Sequence, residues 1–192
     1  MSWSNGNNMQ NGNFSQNNQQ QNGEKKANSK LTTVYGIDAT LDVTMWKSQS
    51  AIFTILTIKA AVGKDPSTNK PVYEQKQPKE LPRLFLYPSD VDSILVLLNG
   101  ITDFSNCNQT VELSKKQKFK IVGAGSELKI TIEDGKIGDR TITIKGTEVL
   151  GKYNFGDLAQ LKDILEVAYK KQVFRRLDMD EFAGIISGDE VM

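Results

Sequence analysis

Residues 31–62 read LTTVYGIDATLDVTMWKSQSAIFTILTIKAAV, and their periodicity decides the fold class. Between 34 and 46, Tyr35, Ile37, Ala39, Leu41, Val43 and Met45 alternate with Gly36, Asp38, Thr40, Asp42, Thr44 and Trp46. Period two over that length predicts one strand with a core face and a wet face. Residues 51–62 carry Ile52, Phe53, Ile55, Leu56 and Ile58, apolar on both parities. That predicts a second strand covered in part on both faces. The polar Lys47-Ser48-Gln49-Ser50 between them predicts an antiparallel hairpin.

Upstream, residues 24–30 (EKKANSK) read as a polar hinge. Ahead of it, thirteen of the eighteen residues from Asn5 to Asn22 are Asn or Gln. Such a tract cannot bury enough apolar surface to offset the entropy of ordering, so residues 1–29 are expected to be a disordered tail.

Downstream, residues 63–71 collect Gly, Asp, Pro, Ser and Asn and predict an exposed, mobile arm. Residues 72–80 are polar, with Pro78 and Pro82 nearby, and predict an edge strand or an irregular excursion. RLFLY at 83–87 predicts a short strand. A helix follows, with Ser89 as N-cap, Asp92 three residues on, and Gly100 as its stop. Val91, Ile94, Leu95 and Leu98 make its apolar face. Short strands are expected at 109–113, 119–122, 128–133 and 141–145, with turns between them. After residues 146–153, Asn154 caps a long final helix with the stripe Leu158, Leu161, Leu165, Ala168 and Val173, ending near Arg175 or Arg176. The expectation is an α+β fold rich in antiparallel sheet, built as two strand-strand-strand(-strand)-helix halves behind a disordered N-terminal tail. One folded domain is expected at 30–177, with an acidic tail at 178–192.

Composition removes whole classes of chemistry. The 192-residue chain has no histidine and one cysteine, Cys107. Ser-His-Asp, Cys-His and His-ligated metal chemistry are therefore excluded, as is an intrachain disulfide. The glycines of Gly123-Ala124-Gly125-Ser126 lack a following Lys-Ser and precede a strand, so they predict a hairpin turn and not a phosphate loop. Asp38 and Asp42 share one strand face without a third ligand. Neither an enzyme, a cofactor nor a metal site is expected. No stretch approaches the roughly 20 apolar residues of a membrane span, and no signal peptide opens the chain, so a cytoplasmic protein is expected.

Net charge is +1, but its distribution is uneven: the middle is lysine-rich and Asp178, Asp180, Glu181, Asp189 and Glu190 close the chain. Single-strand binders combine a basic groove with aromatics on which bases stack. The polar parities of the strands and the nearby loops offer Trp46, Lys47, Lys59, Tyr73, Lys76, Arg83, Tyr87, Lys118, Lys120, Lys129 and Lys145 as the nucleic-acid-binding set. Trp46 carries the most weight, since its parity takes it off the core side, either to stack bases or to fold back onto a helix. Asp38 and Asp42 would repel phosphate, so a binding strip is expected toward Trp46 and Lys47.

The stretch 118–176 (KFKIVG, ELKITIE, RTITIKG, then FGDLAQLKDILEVAYKKQVFRR) resembles the Whirly, PC4-like and Pur-repeat group of single-strand binders. The likeness is one of pattern and covers about a third of the chain. It implies two sheet-plus-helix units forming a platform, and homo-oligomers. The OB-fold is the competing template, on the order of the strand at 83–87, the helix at 89–100 and the strand at 109. Both imply sequence-tolerant binding of single-stranded DNA, or of RNA, in replication or recombination. The polar tract and acidic end resemble the accessory tails of bacterial-type single-stranded-DNA-binding proteins, which implies that the acidic tail contacts replication proteins. The composition would suit a phage-encoded protein, with the host cytoplasm as its setting. The alternative is a structural, assembly or protein-interaction module.

Overall fold

The computed structural model describes residues 28–47 and 52–174. The tails expected at 1–29 and 178–192 fall outside these residues, apart from the first two positions of β1. The chain forms two antiparallel sheets, each followed by a helix. The first sheet contains β1 (Asn28–Tyr35), β2 (Ala39–Lys47), β3 (Ile52–Lys64), β4 (Pro71–Tyr73) and β5 (Arg83–Leu86). β3 is its spine, pairing with β2 along one side and with β4 and β5 along the other. Then comes α1 (Pro88–Gly100). The second sheet is the meander β6 (Asn108–Glu112), β7 (Lys118–Ala124), β8 (Glu127–Asp134) and β9 (Gly138–Lys145). A small hairpin, β10 (Thr147–Val149) and β11 (Lys152–Asn154), leads into α2 (Gly156–Val173). The expected α+β class with two strand-then-helix halves is observed.

The core parity of the central strands is buried as expected, but the opposite parity is partly covered too: Thr40, Asp42, Ile55 and Thr57 are buried. Leu41 and Val43 on β2, Leu56 and Ile58 on β3, and Leu84 and Leu86 on β5 are fully buried. They meet Phe119, Ile121, Ile130, Ile132 and Ile142 of the second sheet, with Ile94 of α1 and Leu161 and Leu165 of α2. One core thus lies between both sheets and both helices.

The segment 34–46 is not one strand. The chain reverses at Gly36-Ile37-Asp38, and residues 28–30, expected in the polar hinge, join 31–35 as β1. Tyr35 and Ile37, expected in the core, are 63% and 58% exposed, while Val34 is buried. The turn forms here because Gly36 lies against β9, where a Cβ would collide with Ile142 and the Thr143 carbonyl. Asp38 accepts from the Thr143 amide and hydroxyl, both at 2.7 Å, and the Ile37 amide donates to the Thr143 carbonyl. Asp38 is therefore a bridge between sheets, not a carboxylate on a wet strand face.

The expected arm at 63–71 closes as a turn. Asp65 accepts from the Ser67 hydroxyl and from the Thr68 and Ser67 amides, which holds its carboxyl down at about 2. The stretch 72–80 completes the short edge strand β4 and, after irregular chain at 74–77, forms a single 3₁₀ turn at Pro78–Glu80.

Both helix caps differ from expectation. α1 is capped at Tyr87, whose amide donates to Asp90 Oδ2 at 3.0 Å, so the Ser89 and Asp92 assignment fails. Asp90 won because it sits three residues into the helix and is also needed elsewhere. Its Oδ1 accepts from the Ser114 amide and hydroxyl, just after β6 of the other half. α2 is capped at Phe155, not Asn154; the Phe155 ring is buried and shields the entry to the helix. Its stripe keeps Leu158, Leu161, Leu165 and Ala168, but Val173 is 42% exposed and Gln172 is buried in its place. The Gln172 amide donates to the Ile52 and Leu86 carbonyls. The helix end expected at Arg175 or Arg176 lies outside the described residues.

Replacing Asp90 removes the buried carboxylate that accepts from the Ser114 amide and hydroxyl, and it uncaps α1. Asp90→Ala is expected to lower the unfolding free energy by about 3 kcal/mol. Urea denaturation reads this, and a midpoint equal to wild type would contradict the bridging role.

Candidate nucleic-acid interface

The outer face of the first sheet follows from its register. Trp46 stands opposite Phe53, Thr44 opposite Ile55, and Ile55 opposite Phe85. Continuing that register by one residue sets Tyr87 beside Phe53. These side chains share the parity opposite Met45, Thr54 and Leu86, which face the core. The Trp46 and Phe53 rings stack at 5.5 Å with 25° between their planes. Phe53 meets Tyr87 edge-on at 5.2 Å. Trp46 thus stays on the sheet face and does not fold back onto a helix.

Two cations cross this strip. The Arg83 guanidinium lies 4.6 Å from the Phe85 ring. Lys115, from the β6–β7 turn, sets its ammonium 5.0 Å from Phe85, 5.4 Å from Tyr87 and 6.0 Å from Phe53. An ammonium at these distances is attracted to each ring face by about 0.5–1 kcal/mol when exposed.

Beside Phe85 the strip opens into a groove of about 580 Å³ lined by Lys79, Arg83, Lys115, Lys116 and Lys136. Asp134 is the one carboxylate in that lining, and it is buried. Its oxygens accept from the backbone amides of Arg83 and Lys136, so it serves as a strand-edge partner at the floor. Gln117 does the same, accepting from the Phe85 amide and donating to the Arg83 carbonyl at 2.9 Å. Five cations therefore converge on a groove whose walls are fixed by the sheet edge behind them.

The expected residues divide into groups. Trp46, Arg83 and Tyr87 come together on the strip, with exposed Lys47 at its end. Lys59 is taken up elsewhere, 3.0 Å from Asp42, which also holds Lys30 at 2.8 Å. Burial pushes the Asp42 carboxyl up, but hydrogen bonds from Lys30, Thr33 and Lys59 outweigh it and hold it below the ordinary range. Asp42 is thus a paired, buried carboxylate and not the phosphate-repelling group its parity suggested. Lys76 pairs with Glu74, whose carboxyl also meets Arg140 at 2.9 Å. Tyr73 is half-buried opposite Ala61, away from the strip.

The remaining four lysines lie on the outer face of the second sheet, where acids match them. Lys118 stands between Glu112 and Glu133, 3.6 Å from the latter, and Lys145 opposes Glu127. Lys120 and Lys129 have Thr131 and Thr143 as neighbours, and Asp139 adds a fourth acid to that face. With as many acids as lysines, this face has no net attraction for a polyanion, whereas the groove has a clear excess of positive charge.

Phe53, Phe85, Lys79, Lys115, Lys116 and Lys136 are absent from the sequence-derived set. The alternation Arg83, Phe85, Tyr87 against Leu84, Leu86 carried the signal for Phe85. Phe53 was hidden because β3 is apolar on both parities. The lysines sit in turns, and only the fold brings those turns together. Among the described residues, no group of three or more His, Cys, Asp or Glu side chains is placed to hold a metal ion, and no helix is long and apolar enough to cross a membrane.

No protein-family model, curated protein or solved structure matches the chain.

Asp42 sets a pH dependence whose sign is fixed by its lowered value. Its contribution to stability is complete above the ordinary aspartate value of 3.8 and is lost as pH falls through the lower folded-state value. The urea midpoint of wild type is expected to drop in that acid window, and Asp42→Asn to drop less. Parallel curves for the two proteins would remove Asp42 as a contributor.

Proposed function

We propose that this chain is a non-enzymatic, sequence-tolerant single-stranded-DNA-binding protein. The observation that carries the reading is the continuity between the aromatic strip, Trp46, Phe53, Phe85 and Tyr87, and the groove with its five cations. Rings take bases by stacking, which every base allows, and lysines take the backbone. The scarcity of arginine among the cations favours backbone contact over bidentate base readout. Duplex DNA presents no free base faces to such a strip, so single strands are the preferred form.

Two sheets each followed by a helix support the Whirly, PC4-like and Pur-repeat template over a single barrel. In this reading the protein works as a homo-oligomer in replication or recombination. The acidic residues at 178–192 contact replication proteins. The binding set is revised accordingly. Trp46, Lys47, Arg83 and Tyr87 stay, and Phe53, Phe85, Lys79, Lys115, Lys116 and Lys136 join them. Lys118 pairs with Glu133, and Lys145 stands opposite Glu127.

Fluorescence titration with oligo-dT tests this, best in a Trp3→Phe background so that the signal belongs to Trp46. Quenching with salt-sensitive affinity is expected; its absence at low salt refutes the function. Trp46→Ala is expected to weaken binding about tenfold, one stacked base, and Lys64→Ala hardly at all. Equal effects would remove Trp46 as a platform. Lys115→Gln with Lys116→Gln is expected to reduce the slope of log affinity against log salt by about 0.7 per lysine, whereas Lys118→Gln leaves the slope near wild type.

A further inference from the structure

The β10–β11 hairpin turns through a two-residue loop, Leu150-Gly151, and both residues have positive φ, 50° and 77°. This is the tight turn antiparallel strands favour, and its first position ordinarily takes Asn, Asp or Gly. A leucine there crowds its Cβ against the carbonyl that follows. Burial gives no compensation within the chain, because Leu150 is 100% exposed and neighbouring Val149 is 51% exposed. Leu150 is thus a backbone outlier with no compensation inside the chain, and contact with another surface would supply one.

A socket lies at the base of the same hairpin. Leu98, Ile101, Phe104, Phe155 and Leu158 line a groove of about 340 Å³ whose rim carries Lys162. Tyr153 of β11 is part of its wall, so knob and socket are three residues apart along the hairpin, roughly 10 Å. The fully exposed Leu150 does not fill this groove itself. A knob beside its socket suits a two-fold axis, about which each tip enters the other groove and both are satisfied in a closed pair. The charges agree. Glu148 is exposed on the hairpin, Lys162 stands on the rim, and neither forms an ion pair among the described residues.

We propose that the groove between α1 and the start of α2 receives Leu150 of a second copy of this chain, forming a two-fold dimer in which Glu148 of each copy meets Lys162 of the other. This gives the homo-oligomer of the functional reading a specific surface, but it does not require nucleic acid. Sedimentation velocity over a concentration series, without nucleic acid, tests it. Leu150→Asn installs a residue the turn prefers, so its thermal midpoint is expected at or above wild type while the dimer is lost at loadings where wild type is dimeric. Glu148→Lys and Lys162→Glu are each expected to weaken the dimer, and the double swap to restore it. A wild-type chain that stays monomeric throughout, or a Leu150→Asn variant that dimerises as wild type does, overturns the proposal. The functional reading fails separately: a wild-type dimer that ignores oligo-dT refutes nucleic-acid binding and leaves this interface standing.

Discussion

An antiparallel sheet ends in strands whose outward N–H and C=O groups need partners, and a buried edge without them is unstable. Where the two sheets meet, side chains from the opposite half supply those partners. Asp38 closes the β9 edge at Thr143. Gln117 and Asp134 close the β5 edge at Arg83 and Phe85. Asp90 ties the start of α1 to Ser114, and Gln172 ties the end of α2 to the carbonyls of Ile52 and Leu86. The shared apolar core holds the halves together, and these five side chains fix how they are set against each other. The accounting is nearly complete. Thr54 Oγ1 and Gln172 Oε1 alone are buried side-chain atoms without a partner among the described residues.

The groove exists because of this stitching. Its floor is the β5 edge, and its walls are the two turns that bring Gln117 and Asp134 to that edge. Those turns also carry Lys115, Lys116 and Lys136. Structure and charge therefore have one origin: the residue that satisfies the backbone and the lysine that faces outward are neighbours in sequence. The outer face of the second sheet lacks this arrangement, and its lysines are balanced by an equal number of acids on the same face.

Much of the architecture was legible in the residues. Alternation located β2 and the four strands of the meander, and helical spacing found the stripes of α1 and α2. What escaped were places where two rules act on the same residues. The alternation of 34–46 runs straight through the β1–β2 turn, because Tyr35 and Ile37 are apolar yet exposed, and the close approach to β9 that demands Gly36 is a tertiary fact. Asp90 and Gln172 were not identifiable as bridges, since nothing local shows which distant amide or carbonyl will need them. For the site, Trp46 followed from strand parity, while Arg83 and Tyr87 were legible only as a cation and an aromatic at the ends of the 83–87 strand. Lys115 did not, because its position over the rings depends on a turn from the other half.

That position has a consequence for the molecule when nothing is bound. A row of Trp, Phe, Phe and Tyr side chains on an open sheet face is the kind of surface on which proteins adhere to one another. With the Lys115 ammonium set among three of those rings, the strip carries a hydrated charge at its centre. Another apolar surface must dehydrate that charge before it can settle there, and it offers nothing in return. One side chain thereby keeps the aromatic strip from presenting a dry patch to other apolar surfaces.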